Sequence, residues 1–237
     1  MFFNILYLII KICEEGNQIN KLILNQKKWI EALSLKYNWE NTYSPIICST
    51  LALSTLSDQI EIGHFIGKQE FTINTHPSQC IDLMLIGEVK IKKHINNMDY
   101  LLCQSRVIEN EKILVEMSTT LIKMNKKLNK RIDETQDIGE FFTTITKDHV
   151  HKFSGLSGDP NNIHKEKDPV VQGMLLLLLI EDYLATKGRF IKKGKIIYLN
   201  PIKADCKLFF FFESSKKLSG IVNNIKCFTL NMEEEFI

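Results

Sequence analysis

The stretch Phe153-Ser154-Gly155-Leu156-Ser157-Gly158-Asp159-Pro160-Asn161-Asn162-Ile163-His164, followed by Gln172-Gly173-Met174-Leu175, organises the reading of the whole chain. Asp159 and His164 stand five positions apart across a Pro-Asn-Asn turn. That spacing in a tight loop aims a carboxylate and an imidazole at one point. A water between them meets an acceptor for its proton and a partner that passes a proton on. Gly173 opens the run Met174–Leu184, which is apolar on all sides and predicts a helix buried on all sides. A backbone N–H at a helix N-terminus favours negative charge on an oxygen, and glycine lets a ligand approach closely. An acid–base pair with an oxyanion donor is the set that proton chemistry beside a thioester carbonyl needs. Gly-Asp-Pro-Asn-Asn is equally a good turn for local reasons, with Asp159 capping backbone N–H groups and His164 a structural histidine.

Outward from this segment, Phe141–Thr146 predicts a strand and Lys147–Leu156 a short helix with Thr146 as N-cap. Ser157–Pro169 predicts a loop, and Gly194–Leu199, Cys206–Glu213 and Leu218–Leu230 predict strands. The N-terminal part repeats the order. Ile19–Leu35 carries Leu22, Ile23, Trp29, Ile30 and Leu33 at helical spacing, and Pro45–Leu56 is a second apolar helix. Phe65–Ile73, Ile81–Ile95, Tyr100–Glu109 and Ile113–Met124 follow as strands, with His76-Pro77-Ser78 and Asn96-Asn97 as turns. Asn125–Gly139 is charged and poor in apolar residues, which marks a linker. The basic run Lys123–Arg131 within it reads as a solvated connection, since acidic residues follow at once. His76-Pro77 through Asp82 has a loose echo in Asn200-Pro201 through Asp205, a Pro, then an Asp, then a hydrophobic strand. Self-similarity of this kind points to duplication of one unit.

The 237 residues suffice for one large domain or two small ones. Lys and Arg total 30 against 28 Asp and Glu, so the formal charge of +2 offers no case for nucleic acid or an anionic membrane as main partner. A hydrophobic fraction of 44% and a charged fraction of 24% exclude disordered and collagen-like classes. The longest uncharged stretches, Met1–Ile10 and Pro169–Ile180, fall short of the roughly 18–20 residues of a membrane helix. Met1–Ile10 lacks a preceding cation and a following small-residue cleavage site, so a docked or frayed terminus is expected rather than export. Cys13, Cys48, Cys80, Cys103, Cys206 and Cys227 form no C-x-x-C pair, as expected of buried thiols in a reducing cytoplasm rather than disulfides or a zinc site.

The central segment resembles the MaoC-like hydratase/dehydratase family, the (R)-specific enoyl-thioester hydratases, with their F-x-x-L-S-G-D-x-N-P-I-H and H-G-M-L motifs. The matching positions are Phe153, Leu156, Ser157, Gly158, Asp159, Asn161, Ile163 and His164, then Gly173, Met174 and Leu175. Gly67–Phe71 through Pro77, and Gly194–Asp205, are more weakly similar to strands of two-unit members. The resemblance implies an α+β double hot-dog fold, two long helices each wrapped by a curved antiparallel sheet and packed as a pseudo-dimer. Residues 1–124 would form a half without the motif, 125–139 the linker, and 140–237 the half with it.

The implied activity is reversible hydration of an enoyl thioester carried on CoA or acyl carrier protein. Asp159 and His164 would be the catalytic pair and the Gly173 N–H the oxyanion donor, with Gly158, Asn161, Asn162 and Gln172 in support. No metal or redox cofactor, nucleic acid or membrane is implied, and a homodimer is left open. Ile46, Ile47 and Leu51 are candidate pocket walls, with core packing as their other role. The chain departs from the pattern at Asn162, where the family has Pro, at Gln172, where it has His, and in a shorter 165–171 stretch. These departures carry the alternative, a hot dog that only binds acyl thioesters or acts as a thioesterase.

Overall fold

The computed structural model describes residues 26–79, 83–124, 135 and 139–236. Met1–Ile10, the start of the helix expected over 19–35, Cys13, Cys80, Asp82 and nearly all of the 125–139 linker lie outside them. Among the described residues, no helix is long and apolar enough to cross a membrane.

The described part of the first helix, α1, runs to residue 33. Helix α2 is Pro45–Ser54, started by Ser44, whose side chain accepts from the Ile47 N–H, and by proline in the first turn. It ends two residues short of the expected Leu56, which leads instead into a short 3-10 turn at Ser57–Gln59. Four strands follow: β1 Phe65–Ile73, β2 Met84–Ile95, β3 Met98–Glu109 and β4 Lys112–Met124. The C-terminal part comprises β5 Glu140–Thr144, α3 Lys147–Ser157, α4 Gly173–Ala185, β6 Arg189–Tyr198, β7 Lys207–Ser214, β8 Lys217–Val222 and β9 Ile225–Phe236.

The strands form one nine-stranded sheet in the order β2-β3-β4-β1-β6-β9-β8-β7-β5. The seam between the two parts is the antiparallel pair β1 and β6, where Phe71 faces Gly194. A Cβ at position 194 would lie 2.2 Å from the Phe71 ring, so the seam closes only over glycine. This is the double hot-dog architecture, with the first of its two central helices only ten residues long.

Two strands differ from the sequence reading. The stretch Leu218–Leu230 is a hairpin of β8 and β9, turning at Asn223 and Asn224 with φ of 50° and 60°. Both residues at positive φ define the tight turn whose twist suits a hairpin. Strand β6 begins at Arg189, five residues before Gly194, because Gly188 at φ 67° ends the helical region directly before it.

The two parts repeat in detail. The Tyr43 N–H, two residues before α2, donates to the Pro77 carbonyl at 2.7 Å, and the Val171 N–H, two residues before α4, donates to the Ile202 carbonyl at 2.9 Å. Isolated bridges Thr42–Ser78 and Val170–Lys203 flank these bonds. These bonds make Pro77 equivalent to Ile202, so the Pro201 of the sequence echo falls one residue before the place of Pro77.

The core is largely one cluster around α4, joining Leu175, Leu177 and Ile180 to Trp29, Ile46 and Phe71 of the first part. At the far end of α4, two carboxylates tie the parts together. Asp182 accepts from the backbone N–H groups of Lys36 at 2.9 Å and Tyr37 at 2.8 Å. Glu181 hydrogen-bonds Ser44 Oγ and accepts from the Ile46 N–H at 3.3 Å, at the N-terminus of α2. Burial pushes the Glu181 carboxyl up from its ordinary 4.5 to about 8, against the lowering effect of those hydrogen bonds. The native state thus holds a proton that the unfolded chain releases above about 4.5, so this group's contribution to stability is full below that pH and is lost as pH rises through about 8. Asp182 is raised by burial too and acts in the same direction. Burial lowers His76 and His149, which act in the opposite direction over the same range, so the Glu181 part is isolated by difference: Glu181→Gln, which keeps an acceptor for Ile46, should remove it, and the melting temperature of wild type minus that of the variant should fall between about pH 5 and pH 8.

Candidate active site

Helix α3 delivers the loop that carries the two candidate catalytic groups. Thr146 caps it by accepting from the His149 N–H, and the Thr146 N–H is met by the His149 side chain in return. Gly158 closes it in the left-handed region at φ 68°, which favours glycine and turns the chain sharply into Asp159. Asp159 Oδ1 then accepts from the Asn161 N–H at 2.9 Å. A 3-10 turn at Asn162–His164 swings the imidazole back. His164 Nε2 lies 3.4 Å from Asp159 Oδ2, with the imidazole buried and the carboxylate 27% exposed.

The other ring nitrogen fixes the chemistry of this pair. His164 Nδ1 is 2.6 Å from the Val170 carbonyl oxygen, which only accepts, so Nδ1 carries a hydrogen. In the neutral ring Nε2 is an acceptor, as is the carboxylate it faces. Two acceptors at this separation are joined by a proton on Nε2 or by a molecule that donates to both.

Gly173 opens α4 beside them, and its N–H has no partner within the helix by the geometry of a first turn. The close approach there is real, since a Cβ would come within 2.9 Å of Tyr198 Cζ and 3.3 Å of Ile66 Cβ. Tyr198 Oη lies 2.9 Å from the Gly173 carbonyl oxygen and 2.8 Å from Gln69 Oε1, and its single hydrogen serves one of them at a time. Burial raises the Tyr198 phenol. Gln69 is itself fully buried, with Nε2 3.2 Å from Thr119 Oγ1. Gln172 anchors the start of α4 to α3 through Nε2, which donates to the Val150 carbonyl at 3.1 Å and to Ser154 Oγ at 2.6 Å.

These groups border a cavity of about 570 Å³ that both parts of the chain enclose. Asp159, His164, Gly158, Asn161, Gln172 and Gly173 all line it, while Asn162 is exposed and outside the lining. Leu53, Ile66, Leu121 and Ile122 of the first part face Met174 and Leu176 of α4 across it. Ile46, Ile47 and Leu51 are not wall residues: Ile46 and Ile47 are buried in the core and Leu51 packs on it, and α2 presents Thr50, Leu53 and Ser54 instead. Two groups escaped the sequence reading, Tyr198 at the end of β6 and His64 before β1. His64 accepts the Asn161 Nδ2 hydrogen on its carbonyl oxygen at 2.6 Å. Neither belongs to a motif; a lone Tyr at a strand end and a lone His in a polar loop carry no periodic signal.

No protein-family model matches the chain, and no curated protein matches it in sequence. Solved structures do match it in shape. HtdX from Mycobacterium tuberculosis superposes with a TM-score of 0.71 at 11% identity, over 89% of this chain and 95% of its own. A MaoC-like dehydratase from Phytophthora capsici gives 0.63 at 11% identity, over 90% and 93%. An acyl-ACP thioesterase from Bacteroides thetaiotaomicron gives 0.52 at 9% identity, over 84% and 93%. At these identities the likeness establishes the fold that the three share with this chain.

Asn161→Ala should destabilise the protein by about 1–3 kcal/mol in urea unfolding, because it leaves the buried His64 carbonyl without its donor. Asn161→Asp should be at least as damaging at neutral pH, since it sets a carboxylate against that carbonyl.

Proposed function

We propose that this chain catalyses the reversible hydration of an enoyl thioester to a 3-hydroxyacyl thioester. The observation that carries the reading is the Asp159 carboxylate and the His164 imidazole, 3.4 Å apart, bordering an apolar cavity together with the first N–H of α4. The likeness in fold to MaoC-like dehydratases supports it, and so do the motif positions from Phe153 to His164. On this reading the chain is a two-unit MaoC-like hydro-lyase. Residues 1–124 close the acyl pocket, 125–139 link, and 140–237 carry the catalytic groups.

Each residue then has a stated task. Asp159 Oδ2 and His164 Nε2, both acceptors, hold one water by its two hydrogens and aim its oxygen at Cβ. As the C–O bond forms, one of that water's protons passes to the pair, which hands it on to Cα. The double bond's electrons become the new Cα–H bond by way of an enolate. The Gly173 N–H receives the charge that develops on the thioester oxygen, in a site screened from bulk water. Dehydration runs the same steps in reverse. The Asn161 N–H holds Asp159 in place, and Gln172 holds the start of α4 against α3.

Among the described residues that line the cavity none is Lys or Arg. The anionic end of a CoA or acyl-carrier-protein substrate therefore stays outside, where water solvates it, and the acyl chain enters. No cofactor takes part in the scheme, and a cytoplasmic location is where both carriers are found.

Asp159→Asn and His164→Gln should each lower turnover of an enoyl-CoA by roughly 10²–10⁴-fold with the far-ultraviolet spectrum and melting curve retained. The assay follows loss of the conjugated double bond. Near wild-type rates in both variants would remove the assignment, and release of free thiol from a saturated acyl-CoA would favour a thioesterase in its place.

A further inference from the structure

His64 stands between the 3-10 turn at Ser57–Gln59 and strand β1, where the first part of the chain meets the Asp159 loop. Its neighbours Glu61, Ile62 and Gly63 are exposed and line the rim of the cavity, with Ile62 at 55%. His64 lines the same cavity but is only 9% exposed. Its Nδ1 lies 2.7 Å from the Glu61 carbonyl oxygen, so Nδ1 carries the hydrogen and the neutral ring leaves Nε2 as an acceptor. That Nε2 is buried and has no hydrogen-bond partner among the described residues. The ring cannot turn away without breaking the Glu61 contact, and the His64 carbonyl is held by Asn161.

Gln172, which lines the same cavity, carries a second such acceptor: its Oε1 has no partner among the described residues, and the amide cannot be reversed to relieve it, because Nε2 meets the Val150 carbonyl, which requires a donor. An unpaired buried acceptor is costly, and native structures rarely leave one without a purpose. His64 and Gln172, one from each part of the chain, both line a single apolar chamber, and an occupant that brings a hydrogen-bond donor to such an acceptor satisfies it.

We infer that His64 Nε2 forms a subsite that takes an N–H or O–H of the bound thioester, an inference that rests on the reading of this cavity as an acyl-thioester site. Two parts of such a ligand carry that chemistry: the amide nearest the sulfur in the carrier arm, and the hydroxyl of a 3-hydroxyacyl chain. His64 is a binding and specificity residue in either case and takes no part in proton transfer.

Equilibrium binding to the full chain, measured by calorimetry, tests this with four matched compounds. A saturated acyl chain and its 3-hydroxy counterpart are each presented as the N-acetylcysteamine thioester, which has the amide N–H, and as the propyl thioester, which lacks it. For wild type, the compound bearing the donor that His64 takes should bind about tenfold tighter than its match without it. His64→Phe keeps a ring and removes the acceptor, and should abolish that preference. His64→Leu is a second acceptor-free variant with the same expected loss, and His64→Gln, which returns an acceptor oxygen, should recover part of it. A preference that follows the amide assigns the carrier arm, and one that follows the hydroxyl assigns the acyl chain. Equal binding of the matched pairs by wild type, or a preference unchanged in both acceptor-free variants, overturns the inference. Binding requires no turnover, so a chain that shows the His64-dependent preference yet leaves enoyl thioesters unchanged loses the hydratase reading and keeps this one. No saturable binding of any of the four overturns both.

Discussion

Helix α4 has no face that tolerates water over its first two turns. Met174 through Leu178 and Ile180 are all buried, so the fold must surround this segment rather than cover one side of it. A single curved sheet encloses only part of a helix. The remaining cover comes from the N-terminal part of the chain, through α2, Trp29 and strand β1. The continuous nine-stranded sheet follows from that requirement, since β1 must lie beside β6 for both parts to close over the same helix. The polar end of α4 completes the arrangement. Glu181 and Asp182 find their partners in the Ser44, Ile46, Lys36 and Tyr37 backbone and side-chain groups of the other part, so the start of α2 takes one of its acceptors from α4.

Of the two equivalent helix ends, the one at Gly173 borders the cavity and the one at Pro45 does not. The Tyr43–Pro77 and Val171–Ile202 bonds place Pro45 and Gly173 at corresponding positions. Pro45 has no N–H to offer a ligand. The next donors of α2 are occupied, the Ile46 N–H by Glu181 and the Ile47 N–H by Ser44 Oγ. The helix end that begins with glycine is free of such a cap: Gln172 directs its amide sideways to α3 and forms no side-chain cap. The repeated arrangement thus presents two helix N-termini, and the residues at them cap one and leave the other without a side-chain cap.

Much of this was legible because burial on one face leaves a period in the sequence. Phe65–Ile73 and Lys147 as a helix start were readable to the residue, and the Asp159, His164 and Gly173 grouping followed from the spacing of their motif. The hairpin at Asn223-Asn224 was not, although the same Asn-Asn signal at Asn96-Asn97 was. Ile95 and Met98 flank the first dipeptide as Val222 and Ile225 flank the second, but Lys92, Lys93 and His94 precede the first and Asp99 follows it, whereas the second is preceded by Leu218–Val222, a run without charge. The wall-forming face of α2 was hidden for a related reason. A helix buried on nearly every side shows no stripe, so nothing in Ile46, Ile47, Thr50 and Leu53 distinguishes core from cavity. His64 and Tyr198 reach the site only through tertiary contacts made across the seam, and no local pattern records a contact of that range.

The shortened 165–171 stretch is the departure that bears most on the chemistry, and its geometry tightens the site. A longer loop has freedom to leave His164 behind. Here the Val170 N–H donates to the Ile163 carbonyl, the Val171 N–H to Ile202, and the Ala204 N–H to Pro169. These bonds tie the end of the stretch back to Ile163 and to the 202–204 segment, and the Val170 carbonyl lies 2.6 Å from His164 Nδ1. That contact sets which nitrogen bears the hydrogen and therefore which one faces Asp159. With Asn162 in place of proline, the 3-10 turn gains a backbone N–H where proline has none, and its carbonyl accepts from Lys165 at 2.9 Å. A short loop of this kind holds the ring orientation with backbone groups alone, and the constraint is local enough to persist whatever the cavity contains.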